Sequence, residues 1–149
     1  LMSAEEAGAM FNNMDPYTAG TLLGMMEDAK AAAILGQMDP SKAAVIIAGM
    51  DPRKAAKLLS EMTPREAAEI LAKMDTATAV ELLGMIDSKR VAAILGELVD
   101  IDSQKAVDVF EKMGVKRGAK IISQMDPPKA ALLLSHMKPL KAAEMLENM

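Results

Sequence analysis

The sequence has no cysteine, no tryptophan, one tyrosine and two phenylalanines among its 149 residues. The absence of cysteine excludes disulfide bridges, thiolate metal sites and cysteine nucleophiles. Because aromatic residues make up only 2% of the chain, a hydrophobic core must be built from Ala, Leu, Ile and the fifteen Met. Seventeen basic and twenty-one acidic residues give a net charge of −4, which is too small and too mixed to indicate a nucleic-acid partner.

Long apolar runs are also missing. The longest clear one, AAVIIAGM from Ala43 to Met50, is much shorter than the roughly 20 residues that cross a bilayer. We expect no signal peptide and no direct membrane insertion in this segment. The predicted location is the cytoplasm, or the stromal or matrix side of an organelle, with membrane association only through partners.

The chain is instead built from a repeat of twelve residues. Position 6 is Ala in ten units, and positions 9 and 10 are apolar in all twelve units. One insertion of three residues, Leu98-Val99-Asp100, breaks the register. With Met as position 1, the units begin at Met2, Met14, Met26, Met38, Met50, Met62, Met74, Ile86, Ile101, Met113, Met125 and Met137.

Each repeat carries the signals of a helix start. Position 2 is Asp in seven units, where its carboxylate accepts from free helix N–H groups, and position 3 is Pro in six units. Because a proline in the interior breaks a helix, the repeat predicts separate helices of about nine residues rather than one coiled coil.

The spacing of apolar residues predicts how these helices pack. Positions 6, 9, 10 and the next Met share one helix face, while positions 4, 5, 8, 11 and 12 form the outer face. A helix this short is marginal alone, so it must bury its apolar face against its neighbours. We therefore predict an all-α fold, a right-handed superhelical α-solenoid of about twelve short helices. Residues 1–149 are predicted to form a single helical-repeat domain within a longer chain.

The recurring pattern, as in MDPSKAAVIIAGM from Met38 to Met50, resembles the N-terminal cytosolic domain of MgtE-type magnesium channels. It is also similar to modules of the flagellar proteins FliG and MotE. The resemblance covers nearly the whole chain and implies a non-catalytic helical module. In the channels, this domain precedes paired CBS modules and a membrane channel, and acidic residues hold Mg²⁺ between domains.

Three residue types suggest metal sites, and each has a simpler structural explanation. Helix capping accounts for the row of Asp at position 2, and a solvated loop for Glu97, Asp100 and Asp102. Ten of the fifteen Met lie at position 1, which favours packing over thioether binding of Cu(I). The single His136 is predicted to lie on the surface near a helix C-terminus. We predict no metal site, no cofactor and no catalytic residue.

Two surface features remain as candidates for binding. A basic cluster near GVKRGAKI lacks the glycine spacing of a phosphate loop, so its ordinary interpretation is an exposed charged face; a contact to an acidic partner is the alternative. Apolar residues on the outer face favour either a docking strip or coiling of the superhelix onto itself. The basic cluster is Lys112, Lys116, Arg117 and Lys120. The candidate partner-binding residues are Tyr17, Met25, Ala29, Ala33, Val45, Leu132 and Leu140.

Two functions follow from these patterns. The first is a non-catalytic scaffold or adaptor that binds protein partners and stabilises a larger assembly. The alternative, implied by the resemblance, is a cytosolic Mg²⁺-responsive regulatory domain of an MgtE-type magnesium channel. Mg²⁺ is a partner only under this alternative.

We expect the isolated chain to be strongly helical, monomeric or weakly associated, and without enzymatic turnover. Far-UV circular dichroism and light scattering check the first two properties. A spectrum dominated by strand would contradict the repeat assignment, because every unit is predicted to be a helix.

Overall fold

A computed structural model describes residues 2–149, and in that range the secondary structure consists of twelve short α-helices without a strand. This confirms the prediction of an all-α helical-repeat fold. The chain divides into two compact units, the first ending at Met74 and the second beginning at Asp75. This division does not test the prediction of a single domain over residues 1–149, which stays a prediction.

The N-terminal unit holds α1 (Ala4–Asn12), α2 (Pro16–Met25), α3 (Asp28–Gln37), α4 (Pro40–Ala48), α5 (Pro52–Glu61) and α6 (Pro64–Ala72). The C-terminal unit holds α7 (Thr76–Leu83), α8 (Ser88–Ile101), α9 (Ser103–Lys112), α10 (Val115–Gln124), α11 (Pro127–Ser135) and α12 (Pro139–Glu147). Every repeat therefore forms one helix.

The helices begin where the repeat predicts. All seven Asp at position 2 occupy N-cap positions, as do Ser3 and Thr63, which form complete capping boxes with Glu6 and Glu66. Four of the seven accept a backbone hydrogen bond through the carboxylate: Asp15, Asp39, Asp51 and Asp102. The other three occupy the N-cap position, but their carboxylates accept no backbone hydrogen bond there: Asp75, Asp87 and Asp126.

Helices pack mainly on their next-but-one neighbours. In the N-terminal unit α1 packs on α3 and α3 on α5, while α2 packs on α4 and α4 on α6. This arrangement makes two layers, one of odd and one of even helices. In the C-terminal unit α7 packs on α9, α8 on α10 and α10 on α12 in the same way. The pattern differs at α8, which also packs extensively on its direct neighbour α9 and on α11.

The core lies between these layers and is made by the predicted face. In α4, Ala43, Ile46 and Ile47 at positions 6, 9 and 10 are all buried. The Met residues at the junctions fill the space between helices, and five of them are buried: Met38, Met62, Met74, Met125 and Met137. A flexible thioether suits these irregular gaps better than a branched side chain.

The three-residue insertion lengthens α8 to 14 residues. Leu98 and Val99 are buried, and Asp102 both ends α8 and caps α9. The prediction of a solvated loop around Glu97, Asp100 and Asp102 was wrong, because two apolar residues of the insertion continue the buried face of the helix. Asp100 forms an ion pair with Lys129.

Position 5, assigned to the outer face, carries side chains that connect α4, α5 and α10 to the third helix before each of them. Lys42 Nζ on α4 donates to the carbonyl of Asn12 at the end of α1, over 2.9 Å. Lys54 Nζ on α5 donates to the carbonyl of Met26 at the end of α2, over 3.0 Å. Arg117 Nη2 on α10 donates to the carbonyls of Leu83 and Ile86 after α7, over 2.9 Å each.

The last carbonyls of a helix have no hydrogen-bond donor within the helix, and they carry a partial negative charge. A cationic side chain at that end donates a hydrogen bond and also balances the charge. An acidic residue at position 5 also reaches the third helix before it. The carboxylate of Glu66 on α6 lies so close to Gly36 of α3 that a methyl group at Gly36 would be 2.7 Å from Cδ of Glu66. We call this recurring contact the position 5 staple. Within residues 2–149 no position 5 residue is buried, as the outer-face prediction requires. The prediction did not include the contact with another helix, because the wheel of one helix does not show the end of another.

Replacing Arg117 by Met should lower the free energy of unfolding by about 1–2 kcal/mol, since it removes charge-assisted hydrogen bonds to two helix-end carbonyls. Arg117→Lys should retain most of the stability, because Lys42 and Lys54 make the same contact in their repeats. Lys116→Met, next to it and exposed, should change stability by less than about 0.5 kcal/mol. Urea denaturation measures all three, and equal effects of the two Met variants would contradict the staple.

Asp28 in the first turn of α3 forms an ion pair with Lys54, and Lys57 Nζ lies 3.9 Å from its second oxygen. The hydrogen bond from Lys54 lowers the pKa of Asp28 from its ordinary value of 3.8, partial burial opposes this, and the charges of Lys54 and Lys57 lower it further. Because the folded pKa lies below the unfolded one, the carboxylate stabilises the fold above the unfolded pKa. That contribution disappears as the pH falls through the folded value.

We therefore expect Asp28→Asn to be less stable than the parent chain at neutral pH, with the difference narrowing as the pH falls below about 4. Urea denaturation at a series of pH values measures the difference. Asp108→Asn is the control, since this carboxylate accepts from the uncharged amide of Gln104. A pH-independent difference for Asp28→Asn would contradict the ion pair.

Candidate functional site

An open groove lies in the N-terminal unit between α2 and α4 and reaches the start of α5. Its volume is about 560 Å³, within the range of roughly 300–1,000 Å³ found for ligand pockets. One wall is α2 with Tyr17 and Thr21, and the other is α4 with Val45 and Ile46. We call it the α2–α4 groove.

Two glycines of α2 line the groove. Gly20 and Gly24 occupy positions 7 and 11, where α4 carries Ala44 and Ala48. A methyl group on Gly20 would lie 3.7 Å from Ile46, in ordinary van der Waals contact, and one on Gly24 would meet nothing within 4 Å. Because neither glycine supplies a side chain, the floor of the groove is backbone that another chain can approach closely.

The rim of the groove carries large apolar side chains that are exposed to solvent. Tyr17 is 84% exposed, and Met25, which follows Gly24, is 81% exposed. Val45 is 57% exposed on the opposite wall. Charged residues are absent from α2 itself. The surface therefore offers hydrophobic contact area with few hydrogen-bonding groups to satisfy.

The groove is polar at the end where α2 and α4 terminate. Lys54 forms an ion pair with Asp28 and donates to the carbonyl of Met26, so Asp28 neutralises its charge. Asp51 is exposed and caps α5, its Oδ1 accepting from Arg53 N over 3.4 Å, and within residues 2–149 it has no ion-pair partner. Charges of both signs therefore lie at this end of the groove, because Arg53 is two residues from Asp51 and Lys57 lies near Asp28.

All seven candidate partner-binding residues are exposed. Tyr17 and Val45 lie together in the α2–α4 groove, with Met25 beside it. Ala29 and Ala33 lie on α3 in the same unit, whereas Leu132 and Leu140 lie on α11 and α12 in the C-terminal unit. Their role in partner binding stays a prediction. Sequence reasoning missed Gly20 and Gly24, although glycine at two positions that α4 fills with Ala was a visible signal.

The basic cluster is smaller than its sequence suggests. Lys112, Lys116 and Lys120 are exposed, but Arg117 is half-buried with its guanidinium directed at the carbonyls of Leu83 and Ile86. The Nε of Arg117 is buried and has no hydrogen-bond partner in the described structure. Contact with an acidic partner stays a prediction for the three lysines alone.

The acidic residues do not form a donor set that fits Mg²⁺, which prefers several oxygen ligands in octahedral geometry. Asp28 and Asp100 are paired with lysines, and Asp15, Asp39 and Asp102 cap helices. Within residues 2–149 no three His, Asp or Glu residues come together. His136 is exposed at the C-cap of α11, as predicted.

No helix in the described part of the chain combines the length and apolar character needed to cross a membrane. The comparison with curated proteins gives no match. The family model described as the MgtE intracellular N domain matches three times, over residues 1–59, 39–102 and 98–149. The overlapping matches follow the repeat and together cover the whole sequence, so the chain belongs to the MgtE intracellular N domain family.

Proposed function

We propose that this chain is a non-catalytic regulatory module of an MgtE-type magnesium transport protein, working on the intracellular side. The observation that carries this proposal is the family model, which matches the chain from residue 1 to residue 149 in three overlapping segments. The family description itself names an intracellular N domain.

The fold supports a role through surface contact rather than chemistry. Its best-defined polar side chains have structural tasks: Asp15 and Asp51 cap helices, while Lys42, Lys54 and Arg117 staple helix ends. The α2–α4 groove, by contrast, presents exposed Tyr17 and Val45, with exposed Met25 beside it. Apolar surface of this kind, bounded by polar residues, is typical of protein docking sites.

The α2–α4 groove directs the proposal further. Because it presents exposed apolar side chains, we infer that the module senses transport state through contact with another protein surface. Regulation then depends on differential contacts of the groove in two states of the transport protein. A ligand or domain that binds both states with equal affinity does not change the equilibrium between them.

A scaffold or adaptor unrelated to magnesium is the second candidate. The exposed α2–α4 groove favours it, because an extended helical-repeat surface with an apolar strip is suited to holding protein partners. The two candidates differ in one measurable consequence, which is whether loss of the module changes cellular magnesium.

Removing the codons for residues 1–149 in frame from the source organism should make cellular Mg²⁺ content depend more steeply on external Mg²⁺. Elemental analysis of cells grown over a range of Mg²⁺ concentrations measures this. Restoring the parent sequence should restore the original curve, whereas Val45→Glu, which places a charge in the groove, should not.

The matched control is Ala93→Glu, which introduces the same charge at an exposed residue in the same repeat position, 8, of α8. It should behave like the parent chain. Unchanged Mg²⁺ curves after deletion would contradict the magnesium proposal and favour the scaffold. Sequencing the complete reading frame is the first step, since CBS modules and membrane helices there would join the chain to a transport protein.

A further inference from the structure

The outer surface of α2 and α4 pairs large exposed side chains with open glycines. Tyr17 is 84% exposed, and a methyl group on Gly24, seven residues later, would meet nothing within 4 Å. Val45 is 57% exposed, and a methyl group on Gly49, four residues later, would meet only two backbone carbonyl oxygens of its own repeat. These spacings place both members of each pair on one side of α2 and of α4. Each helix therefore presents one projection and one open space, and all four residues line the α2–α4 groove.

The two pairs have their centres at the same height along the groove. The centre of the pair on α2 lies between Gly20 and Thr21, and the centre of the pair on α4 lies at Ile47. A methyl group on Gly20 would lie 3.7 Å from both Ile46 and Met50, so these centres lie beside each other. A single two-fold axis that crosses both helices at this height exchanges projection and open space on each of them. The surface is therefore complementary to a second copy of itself.

Charge does not oppose contact between two copies of this surface. α2 has no charged residue, and Lys42, the single charged residue of α4, donates to the carbonyl of Asn12 on α1. Positions 4 and 8 of α6, the next helix in the same layer, are instead Arg65 and Glu69. The uncharged outer surface therefore ends where α4 meets α6. A contact confined to α2 and α4 brings no like charges on these helices together, which two copies of a charged surface would do.

We propose that a second copy of this chain covers the α2–α4 groove in a symmetric dimer, with α2 antiparallel to α2 and α4 antiparallel to α4 of the other copy. Tyr17 of each copy then occupies the space at Gly24 of the other, and Val45 occupies the space at Gly49. The hydroxyl of Tyr17 reaches the end of the groove that Asp51 lines. Because the carboxylate of Asp51 accepts one backbone hydrogen bond and can accept more, the covered hydroxyl has a partner.

The dimer goes beyond the regulatory role proposed above and does not depend on magnesium. Both contacts use Val45, so a second copy and the surface of a transport protein compete for the groove. Two short helices from each copy bury less than a standard interface of about 1,600 Å². The dimer is therefore weak and forms at high protein concentration. Since it is measured on the purified chain without Mg²⁺, its absence would leave the regulatory proposal unaffected.

Sedimentation equilibrium of the purified chain over a range of concentrations tests the dimer. The average mass of the parent chain should rise to that of two copies and stop there, because a symmetric contact closes at the dimer. Val45→Glu should weaken the dimer about tenfold or more, and Ala93→Glu should associate like the parent. Both residues are exposed, so circular dichroism should show unchanged helicity. A parent chain that stays monomeric, or that grows beyond two copies, would overturn the proposal.

Gly24→Leu separates shape from hydrophobicity. Leucine fills the space that Tyr17 of the other copy needs, so the dimer should weaken even though the variant adds apolar surface. Gly24 is exposed and a methyl group there would meet nothing within 4 Å, so the fold should be preserved. Unchanged or tighter association of Gly24→Leu would overturn the contact between Tyr17 and Gly24.

The absence of cysteine from the chain allows single-cysteine variants to report the symmetry. Thr21 lies next to the proposed axis, so its two copies are neighbours, whereas the two copies of Gly24 lie about 10 Å apart along α2. A disulfide requires Cα atoms within about 7 Å of each other. Under mild oxidation Thr21→Cys should therefore cross-link rapidly, and Gly24→Cys should cross-link as slowly as the control Ala93→Cys. Equal rates for Thr21→Cys and Gly24→Cys would overturn the antiparallel arrangement.

Discussion

Burial of one apolar face of each short helix against neighbouring helices is the interaction on which the whole structure depends. Eleven of the twelve helices have only eight to ten residues, and helices of this length are marginal alone in water. Ala at position 6 brings the backbones together, and the aliphatic pair at positions 9 and 10 fills the core. Because each helix depends on its neighbours, local propensity sets where a helix starts and packing decides whether it persists.

So many short helices also produce many helix ends, and these need partners. The position 5 staple supplies them by placing Lys42, Lys54 or Arg117 at the carbonyl end of the third helix before. Each of these side chains thus donates a hydrogen bond to a helix end and also connects the two layers of helices. Lys42 and Lys54 in the recurring MDPxKAA pattern therefore have a structural role.

The α2–α4 groove lies where α2 carries glycine at two positions that α4 fills with Ala. A methyl group on Gly20 would contact Ile46, and the space at Gly24 is open. Exposed Tyr17 and Val45 line the groove, and Met25 is exposed beside it. The surface thus differs between repeats through small differences in side-chain volume and polarity, while the buried positions stay the same.

The sequence alone determined the helices, their starts and their buried faces, because Asp, Pro, Ala and the aliphatic pair act within one repeat. It also predicted Tyr17, Met25 and Val45 as exposed, since the wheel of one helix shows its outer side. Only the tertiary structure decided that Arg117 and Lys54 lie against distant helix ends, that the insertion extends α8, and that Gly20 faces Ile46 across a groove. The two helix-end contacts and the groove depend on residues about 26 to 34 positions apart, and a twelve-residue pattern carries no information about which repeats come into contact. The extension of α8 is local, but it depends on burial of Leu98 and Val99.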